Sequence, residues 1–305
     1  MKRFIFLVLA ACAFASPSYA QVTTPIAWSA KFKSTVNWQR LHSLGYLVVN
    51  TNDGLYAVNP HDGNILWENK NFAALDPANY EEVAGTEFLT IAYKVDQENA
   101  IPLQAIVDVI TGRVLFDSKK EGIGVLSRHV LPSSGRLLVV GVKPGELVAT
   151  LFMFDITTGK QLWSNGELLR VAATGKGFLG KLQAGLATLG NLQSLTSEPV
   201  ELADESMIIT HPNYAMRINT VDGALMWKND LQPSRVARIL FSSHKKDVVY
   251  VATEIESETG SGFTTSSGNQ SQPNKFYFNL YYAYNIDTGK PLWKKLRRRT
   301  TNSTR

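Results

Sequence analysis

The sequence predicts an all-β protein, a propeller of four-stranded antiparallel blades. Three observations lead there: a motif that recurs five times, a spacing between copies close to the length of one blade, and a strand–turn–strand chemistry inside each copy. The copies are Leu55 to Trp67 (LYAVNPHDGNILW), Ala105 to Phe116, Leu151 to Trp163, Ala215 to Trp227 and Tyr281 to Trp293. Taking Gly63, Gly112, Gly159, Gly223 and Gly289 as origin, the residue four before is Asn59, Asp108, Asp155, Asn219 or Asn285, and the residue just before is Asp or Thr. Three after the glycine comes Leu66, Leu115, Leu162, Met226 or Leu292, and four after comes Trp67, Phe116, Trp163, Trp227 or Trp293. Agreement at fixed offsets over five copies is the signature of a repeat.

Each copy reads as a strand rich in β-formers, an Asn or Asp that ends it by bonding nearby backbone, a glycine for a positive φ, and an exit strand. An aromatic at one fixed place in every unit suggests a ring packed between neighbouring units, since such a ring buries on the order of 150–250 Å². The glycine-to-glycine intervals are 49, 47, 64 and 66 residues. Blades of roughly 40–50 residues fit the first two, and the longer two imply insertions.

In chain order, the first twenty residues are an expected export signal. Lys2 and Arg3 precede an apolar run from Phe4 to Phe14, and Ser18-Tyr19-Ala20 is a small-x-small cleavage site before Gln21. Leu9-Ala10-Ala11-Cys12 resembles a lipobox, so a lipid anchor at Cys12 is the alternative, although the run before Cys12 is short. Cleavage at Ala20 would remove the chain's single cysteine and with it any disulfide, thiol nucleophile or Cys-based metal site. The expected propeller domain covers residues 21–296, and residues 297–305 form a basic polar tail.

Ile26 to Phe32 reads as an isolated exit strand that would complete the last blade and close the ring. The first blade then runs from about Val36 to Phe72. In the second, Glu87 to Lys94 and Gln104 to Val109 read as strands around the polar loop Val95 to Pro102. In the third, Arg136 to Val142 leads through the turn Lys143-Pro144-Gly145-Glu146 into Leu147 to Phe154.

Two insertions follow, at about 164–202 and 254–275. In the first, Phe178, Leu182, Leu186, Leu189 and Leu192 fall at helical spacing, weakened by five interspersed glycines. The second is rich in Ser, Thr, Gly, Asn and Gln and reads as an exposed loop. Phe276 to Tyr284 is the most aromatic strand; cross-strand stacking accounts for it more simply than a sugar-stacking platform. The five units are either the whole propeller or the visible part of a seven- or eight-bladed array.

Charge argues against nucleic acid. Of 31 Lys and Arg, two lie in the export signal and six in the last twelve positions, leaving 23 bases against 26 acids in residues 21–293. The body is mildly acidic, so the basic face of a nucleic-acid binder is not expected. No catalytic residues are assigned. His42, His61, His129, His211 and His244 show no metal-type pairing and read as surface or loop residues, and Glu81-Glu82 and Asp204-Glu205 would point to opposite faces of a strand. There is no nucleophile elbow and no phosphate-binding glycine loop.

Together these residues resemble the PQQ-like β-propeller repeat family, whose signature is roughly aromatic-Ala-x-Asp-x-x-Thr-Gly-x-x-x-Trp; Leu151 to Trp163 and Tyr281 to Trp293 are the nearest matches. The family includes quinoprotein dehydrogenases, the outer-membrane assembly lipoprotein BamB and many exported proteins, and WD40-like propellers share its architecture. The resemblance implies two functions: a non-catalytic periplasmic or secreted scaffold that binds envelope proteins, or a dehydrogenase using PQQ and Ca²⁺. The dehydrogenases hold the quinone with a stacking Trp, a vicinal cysteine pair and a Glu/Asn/Asp calcium site, and the cysteine pair is missing here. The scaffold is therefore the favoured reading, without a cofactor, a metal or a transmembrane span. A carbohydrate-binding propeller using the strand around Tyr282 is the third.

Mass spectrometry of the exported protein should give Gln21 as the first residue; an acylated Cys12 would overturn that assignment.

Overall fold

The computed structural model describes residues 26–95, 102–146, 148–170, 195–232, 236–258, 275–293 and 297–299. The expected export signal and the helical pattern of residues 178–192 lie outside the described residues, as does most of the Ser/Gly-rich insertion. The described chain forms five four-stranded antiparallel sheets, each a meander of sequential strands, which are the blades of a β-propeller.

Sheet 1 contains β1 (Val36–Leu41), β2 (Leu47–Thr51), β3 (Leu55–Val58) and β4 (Ile65–Asn69). Sheet 2 contains β5 (Tyr80–Glu82), β6 (Phe88–Val95), β7 (Pro102–Asp108) and β8 (Val114–Asp117), and sheet 3 contains β9 (Gly124–Leu131), β10 (Arg136–Val142), β11 (Thr150–Asp155) and β12 (Gln161–Asn165). Sheet 4 contains β13 (Val200–Leu202), β14 (Ser206–His211), β15 (Tyr214–Asn219) and β16 (Leu225–Asp230); sheet 5 contains β17 (Val236–Phe241), β18 (Val248–Glu258), β19 (Lys275–Asn285) and β20 (Arg297–Arg299). The strands reach further into both insertions than the sequence suggests. Arg297–Arg299, expected as tail, pairs with Asn279–Tyr281 as the fourth strand of sheet 5.

The repeated motif is the hairpin between the third and fourth strands. In every copy the glycine N–H donates to the carbonyl of the Asn or Asp four before it, at 2.8 to 3.1 Å, and all five glycines have φ between +68° and +74°. The Asn or Asp side chain accepts a further backbone N–H from inside the turn: His61 on Asn59 (3.0 Å), Ile110 on Asp108 (2.8 Å), Thr158 on Asp155 (2.7 Å), Val221 on Asn219 (2.7 Å) and Thr288 on Asn285 (2.9 Å). The Asp or Thr before the glycine accepts the N–H two residues on, as Asp62 does from Asn64 at 2.9 Å. The polar groups that such a sharp reversal strips from the ladder are thus paired locally.

Between successive sheets the aromatic four residues after the glycine lies over the next sheet's turn. A Cβ on Gly112 would sit 2.5 Å from Cγ of Trp67, one on Gly223 2.7 Å from Trp163, and one on Gly289 2.5 Å from Trp227. The indole N–H of each ring donates to the carbonyl three residues before that glycine: Trp67 to Val109 at 2.7 Å, Trp163 to Thr220 at 3.0 Å and Trp227 to Ile286 at 2.7 Å. Trp28 does the same for the first turn, lying over Gly63 and donating to Pro60 at 2.6 Å. Ile26 to Phe32, expected to complete the last blade, is not a strand; it packs on Val49, Tyr56 and Val58 of sheet 1, and sheet 5 takes its fourth strand from β20.

The core is distributed accordingly. Four apolar clusters fill the seams, one between each pair of successive sheets, with Phe72, Leu89, Phe152, Phe154 and Met153 among the largest fully buried side chains. Polar contacts between neighbours flank them. At the third seam Glu201 accepts the N–H groups of Ser133 and Ser134 at 3.0 Å each. At the fourth, Asn229 donates to the Gly289 carbonyl at 2.8 Å.

Gly289→Ala should lower stability by at least about 2 kcal/mol, from the positive φ together with the clash against Trp227. Gly145→Ala, at φ +81° with nothing within 4 Å of the added Cβ, should lose only about 1 kcal/mol. Urea unfolding of the two variants checks this; equal losses would show that ring contact adds nothing.

Candidate interaction surface

The residue three after each glycine has a structural position that the turn chemistry does not explain. In sheet 1 Ala57 pairs with Trp67 and the next residue, Val58, with Ile65, so Leu66 is the extra residue of a β-bulge. The same shift singles out Leu115 between Phe116 and Val114, Leu162 between Trp163 and Gln161, and Met226 between Trp227 and Leu225. A bulge redirects a side chain and sharpens local twist. Here it lets the aromatic enter the seam while its neighbour turns outward. Leu66, Leu162, Met226 and Leu292 are 41–45% exposed, with Ile65 and Leu225 beside them; only Leu115 is buried, at 6%. The outer strands of three blades therefore present an apolar side chain to solvent at the bulge, and Leu292, which precedes the fourth strand of sheet 5, is exposed at the same repeat offset.

The other repeat residues are distributed over seams rather than gathered at one centre. Gly63, Gly112, Gly223 and Gly289 each lie under a ring, and Trp67, Trp163 and Trp227 supply three of those rings. Gly159 instead meets the Leu115 backbone, because Phe116 turns into the sheet 2–3 cluster and packs edge-on against Phe154 with centroids 5.0 Å apart. Trp293 has no following turn among the described residues; it is 41% exposed and packs against Tyr250 with centroids 5.7 Å apart. Asp155 is held ionised below the usual carboxylate range chiefly by the Thr158 backbone N–H, with help from the Thr158 hydroxyl.

Several titratable groups occupy places that the sequence did not indicate. His42 and His211, expected at the surface or in loops, are each 1% exposed. His42 accepts the Leu44 N–H on Nδ1 at 3.1 Å, which leaves its proton on Nε2, 3.8 Å from a Glu82 oxygen in the next sheet. Glu81 and Glu82 do serve opposite neighbours: Glu81 lies 3.5 Å from Arg128 of sheet 3, whereas Glu82 accepts the Ser43 N–H of sheet 1 at 3.1 Å. Asp204 and Glu205 sit in the turn between β13 and β14, not in a strand; Glu205 has φ +59°. Asp204 pairs with Arg217, whose guanidinium also donates to the Ile286 carbonyl at 2.7 Å and to Asp287 at 3.1 Å. Arg217 is 3% exposed and ties sheet 4 to sheet 5 as a buried, fully paired cation.

A second cluster joins sheet 4 to the chain that leaves β12. The Lys228 ammonium stands 3.7 Å from the centre of the Tyr214 ring and donates to the Leu168 carbonyl at 2.8 Å; Tyr214 donates to the Arg170 carbonyl at 3.1 Å. His211 stacks on Tyr214, with centroids 5.5 Å apart and ring planes 16° apart, and its Nδ1 has no hydrogen-bond partner. Burial lowers the pKa of Lys228 and raises that of Tyr214. Burial, followed by the charge on Lys228, pushes His211 down to about 4. On the aromatic strand β19, Tyr282 and Tyr284 pack into the sheet 4–5 cluster, and Tyr282 accepts the Gln232 N–H at 3.0 Å.

Among the described residues no three His, Cys, Asp or Glu side chains converge as metal ligands. The chain has one cysteine, Cys12, so the vicinal pair that holds a quinone in the dehydrogenases cannot form. No acidic cluster that would hold calcium is gathered among the described residues. Among the described residues no helix is long and apolar enough to cross a membrane.

Residues 19–166, just under half of the chain, match the model of the family described as outer membrane protein assembly factor BamB, so the repeat is of the PQQ-like type. No curated protein matches the sequence. BamB from Moraxella catarrhalis is 14% identical with a TM-score of 0.41 over 84% of this chain, and the chain covers 62% of that protein. A europium-containing methanol dehydrogenase is 11% identical with a TM-score of 0.38, over 87% of this chain and 61% of the other. The C-terminal WD40 domain of Sif2 is 12% identical with a TM-score of 0.39, over 90% and 63%. The fold assignment rests on the five four-stranded sheets themselves.

His211 makes stability depend on pH. Its folded pKa of about 4 lies below the unfolded value of 6.5. Above 6.5 the imidazole is neutral in both states. As pH falls from there, the unfolded chain takes up the proton first, and stability should fall by up to about 3 kcal/mol before pH 4. Urea midpoints of the wild type and of His211→Phe, which keeps a ring on Tyr214, should diverge over that window; parallel profiles would refute the effect.

Proposed function

We propose that the protein is a non-catalytic scaffold of the cell envelope that binds other envelope proteins through the outer edges of its blades. The observation that carries this reading is the bulged residue of the outer strands. Three of these positions hold an exposed Leu or Met, Leu66, Leu162 and Met226, and Leu292 is exposed at the same offset in the fifth copy, although folding asks only for a bulge there and a polar side chain would serve. Exposed apolar side chains on open strand edges are a liability that soluble proteins usually remove with charge or proline, so their repetition favours a binding role. The BamB family model over residues 19–166 supports the choice of partner, a component of outer-membrane protein assembly. The expected export signal is consistent with a periplasmic or secreted protein, with an outer-membrane lipoprotein as the alternative.

In this reading the repeated Asp, Asn, Gly and Trp serve architecture, and recognition belongs to the positions that architecture leaves free. The protein, in this reading, acts without PQQ or calcium, and the packing of Tyr282 and Tyr284 into the sheet 4–5 cluster favours a structural role for them over a sugar platform.

Crosslinking in envelope fractions followed by mass spectrometry should recover outer-membrane assembly proteins with the wild type. With Leu66→Glu/Leu162→Glu/Met226→Glu, recovery should fall at least about tenfold, the order expected when charge is placed in a small apolar interface. Indistinguishable profiles would sink the proposal, as would dye-linked alcohol oxidation after reconstitution with PQQ and Ca²⁺.

A further inference from the structure

Sheet 3 contains a cleft of about 440 Å³ beside the seam clusters. Its wall is one face of β11 and β12. Thr150 and Phe152 alternate along β11; Ser164 is the register partner of Phe152 on β12, and Gly166 continues that strand's line. Its mouth is formed by Lys143 and Glu146, from the turn between β10 and β11, and by Arg170. The volume lies within the roughly 300–1,000 Å³ range of small-molecule sites.

Two features mark the cleft as a built site. Gly166 lies outside the positive-φ region, so its backbone conformation does not call for glycine. A Cβ there would meet the Thr150 hydroxyl at 2.9 Å and close off the wall. The missing side chain keeps space open beside that hydroxyl. The second feature is charge. Arg170 pairs with Glu167 at 2.9 Å, whereas Lys143 and Glu146 have no ion-pair partner among the described residues. Lys143 rests instead with its ammonium 5.5 Å from the centre of the Phe152 ring.

An unpaired cation and an unpaired carboxylate at one mouth restrict the ligand. A plain anion would satisfy Lys143 and be repelled by Glu146. A plain cation would satisfy Glu146 and meet Lys143 and Arg170. A neutral guest would take some hydration from both charges without pairing either. A small zwitterion answers both at once. From these contacts we infer that the cleft binds a free α-amino acid or dipeptide, with its carboxylate on Lys143, its ammonium on Glu146, and the hydroxyls of Thr150 and Ser164 available to its polar atoms. This inference is independent of the rim and of the scaffold reading, and neither falls with the other.

The probes are the twenty free amino acids and glycylglycine, titrated into the full-length protein by calorimetry, with acetate and methylammonium as single-charge controls. At least one zwitterion should bind with a dissociation constant below about 1 mM, and both controls at least tenfold more weakly. Lys143→Gln and Glu146→Gln, both at exposed positions, should each weaken binding about tenfold, the effect of removing one partner of a charge-assisted contact. Gly166→Leu should abolish binding by filling the space; Gly166→Ala, checked by circular dichroism, gives the same test if the larger residue disturbs folding. No binding by any zwitterion would overturn the assignment. So would acetate binding as well as the amino acids, or affinity unchanged in the Gly166 variants.

Discussion

A tryptophan of one sheet lies on a turn of the next sheet that has no Cβ to resist it, and the rest of the architecture depends on that contact. The ring needs a flat floor, which the glycine supplies, and its N–H needs an acceptor, which the turn supplies three residues upstream. Both requirements are met in one place because the glycine's positive φ and the Asn or Asp four before it set the turn geometry, leaving a carbonyl free at the right height. Packing, hydrogen bonding and backbone conformation are therefore joined at each seam. Since the seam contacts among the described residues join each blade to its successor, stability accumulates from nearest-neighbour terms, as in other repeat proteins.

The second seam shows what happens when one part is changed. Phe116 has no N–H to donate, and the turn at Gly159 closes on the Leu115 backbone instead of on a ring. Phe116 then packs inward on Phe154, Leu115 is buried where its counterparts are exposed, and Arg113 reaches across to the Thr157 carbonyl. A polar crossing between sheets is retained, but a guanidinium makes it in place of an indole. Loss of one donor thus goes with a repositioned residue beside the aromatic. The exposed Leu or Met of the other four copies is accordingly coupled to the presence of the tryptophan.

The turn grammar was legible in the sequence because its hydrogen bonds are local: an Asx four residues before a glycine can be read without knowing what lies beside it. The bulge could not be read this way, since it is a property of pairing between two strands, although the fixed Leu or Met beside the aromatic was its signal. Ile26 to Phe32 has the pattern of a last-blade strand, yet what identifies its place is that Trp28 finds the Gly63 turn, a tertiary fact. The burial of His42 and His211 was hidden for the same reason. Polar residues at strand ends look like surface residues until the neighbouring blade covers them. Arg217 is the clearest case: an arginine between Met216 and Ile218 gave no hint that Asp204, Ile286 and Asp287 converge on it.

These constraints also separate the positions that build the protein from those that are free for other work. The glycine, the Asx, the Asp or Thr beside the glycine and the tryptophan are each fixed by a contact that a substitution would break. The bulged residue is fixed only in backbone, and the loop between the second and third strands is fixed only in its ends. In sheet 3 that loop places Lys143 and Glu146, without an ion-pair partner among the described residues, at the mouth of a cleft, and in three blades the bulge turns a large apolar side chain toward water. Neither arrangement lowers the folding free energy: the first leaves two charges unpaired, and the second leaves hydrocarbon exposed on a strand edge. Features that folding does not require, in an array whose other repeated positions are so fully accounted for, are where recognition has room to act.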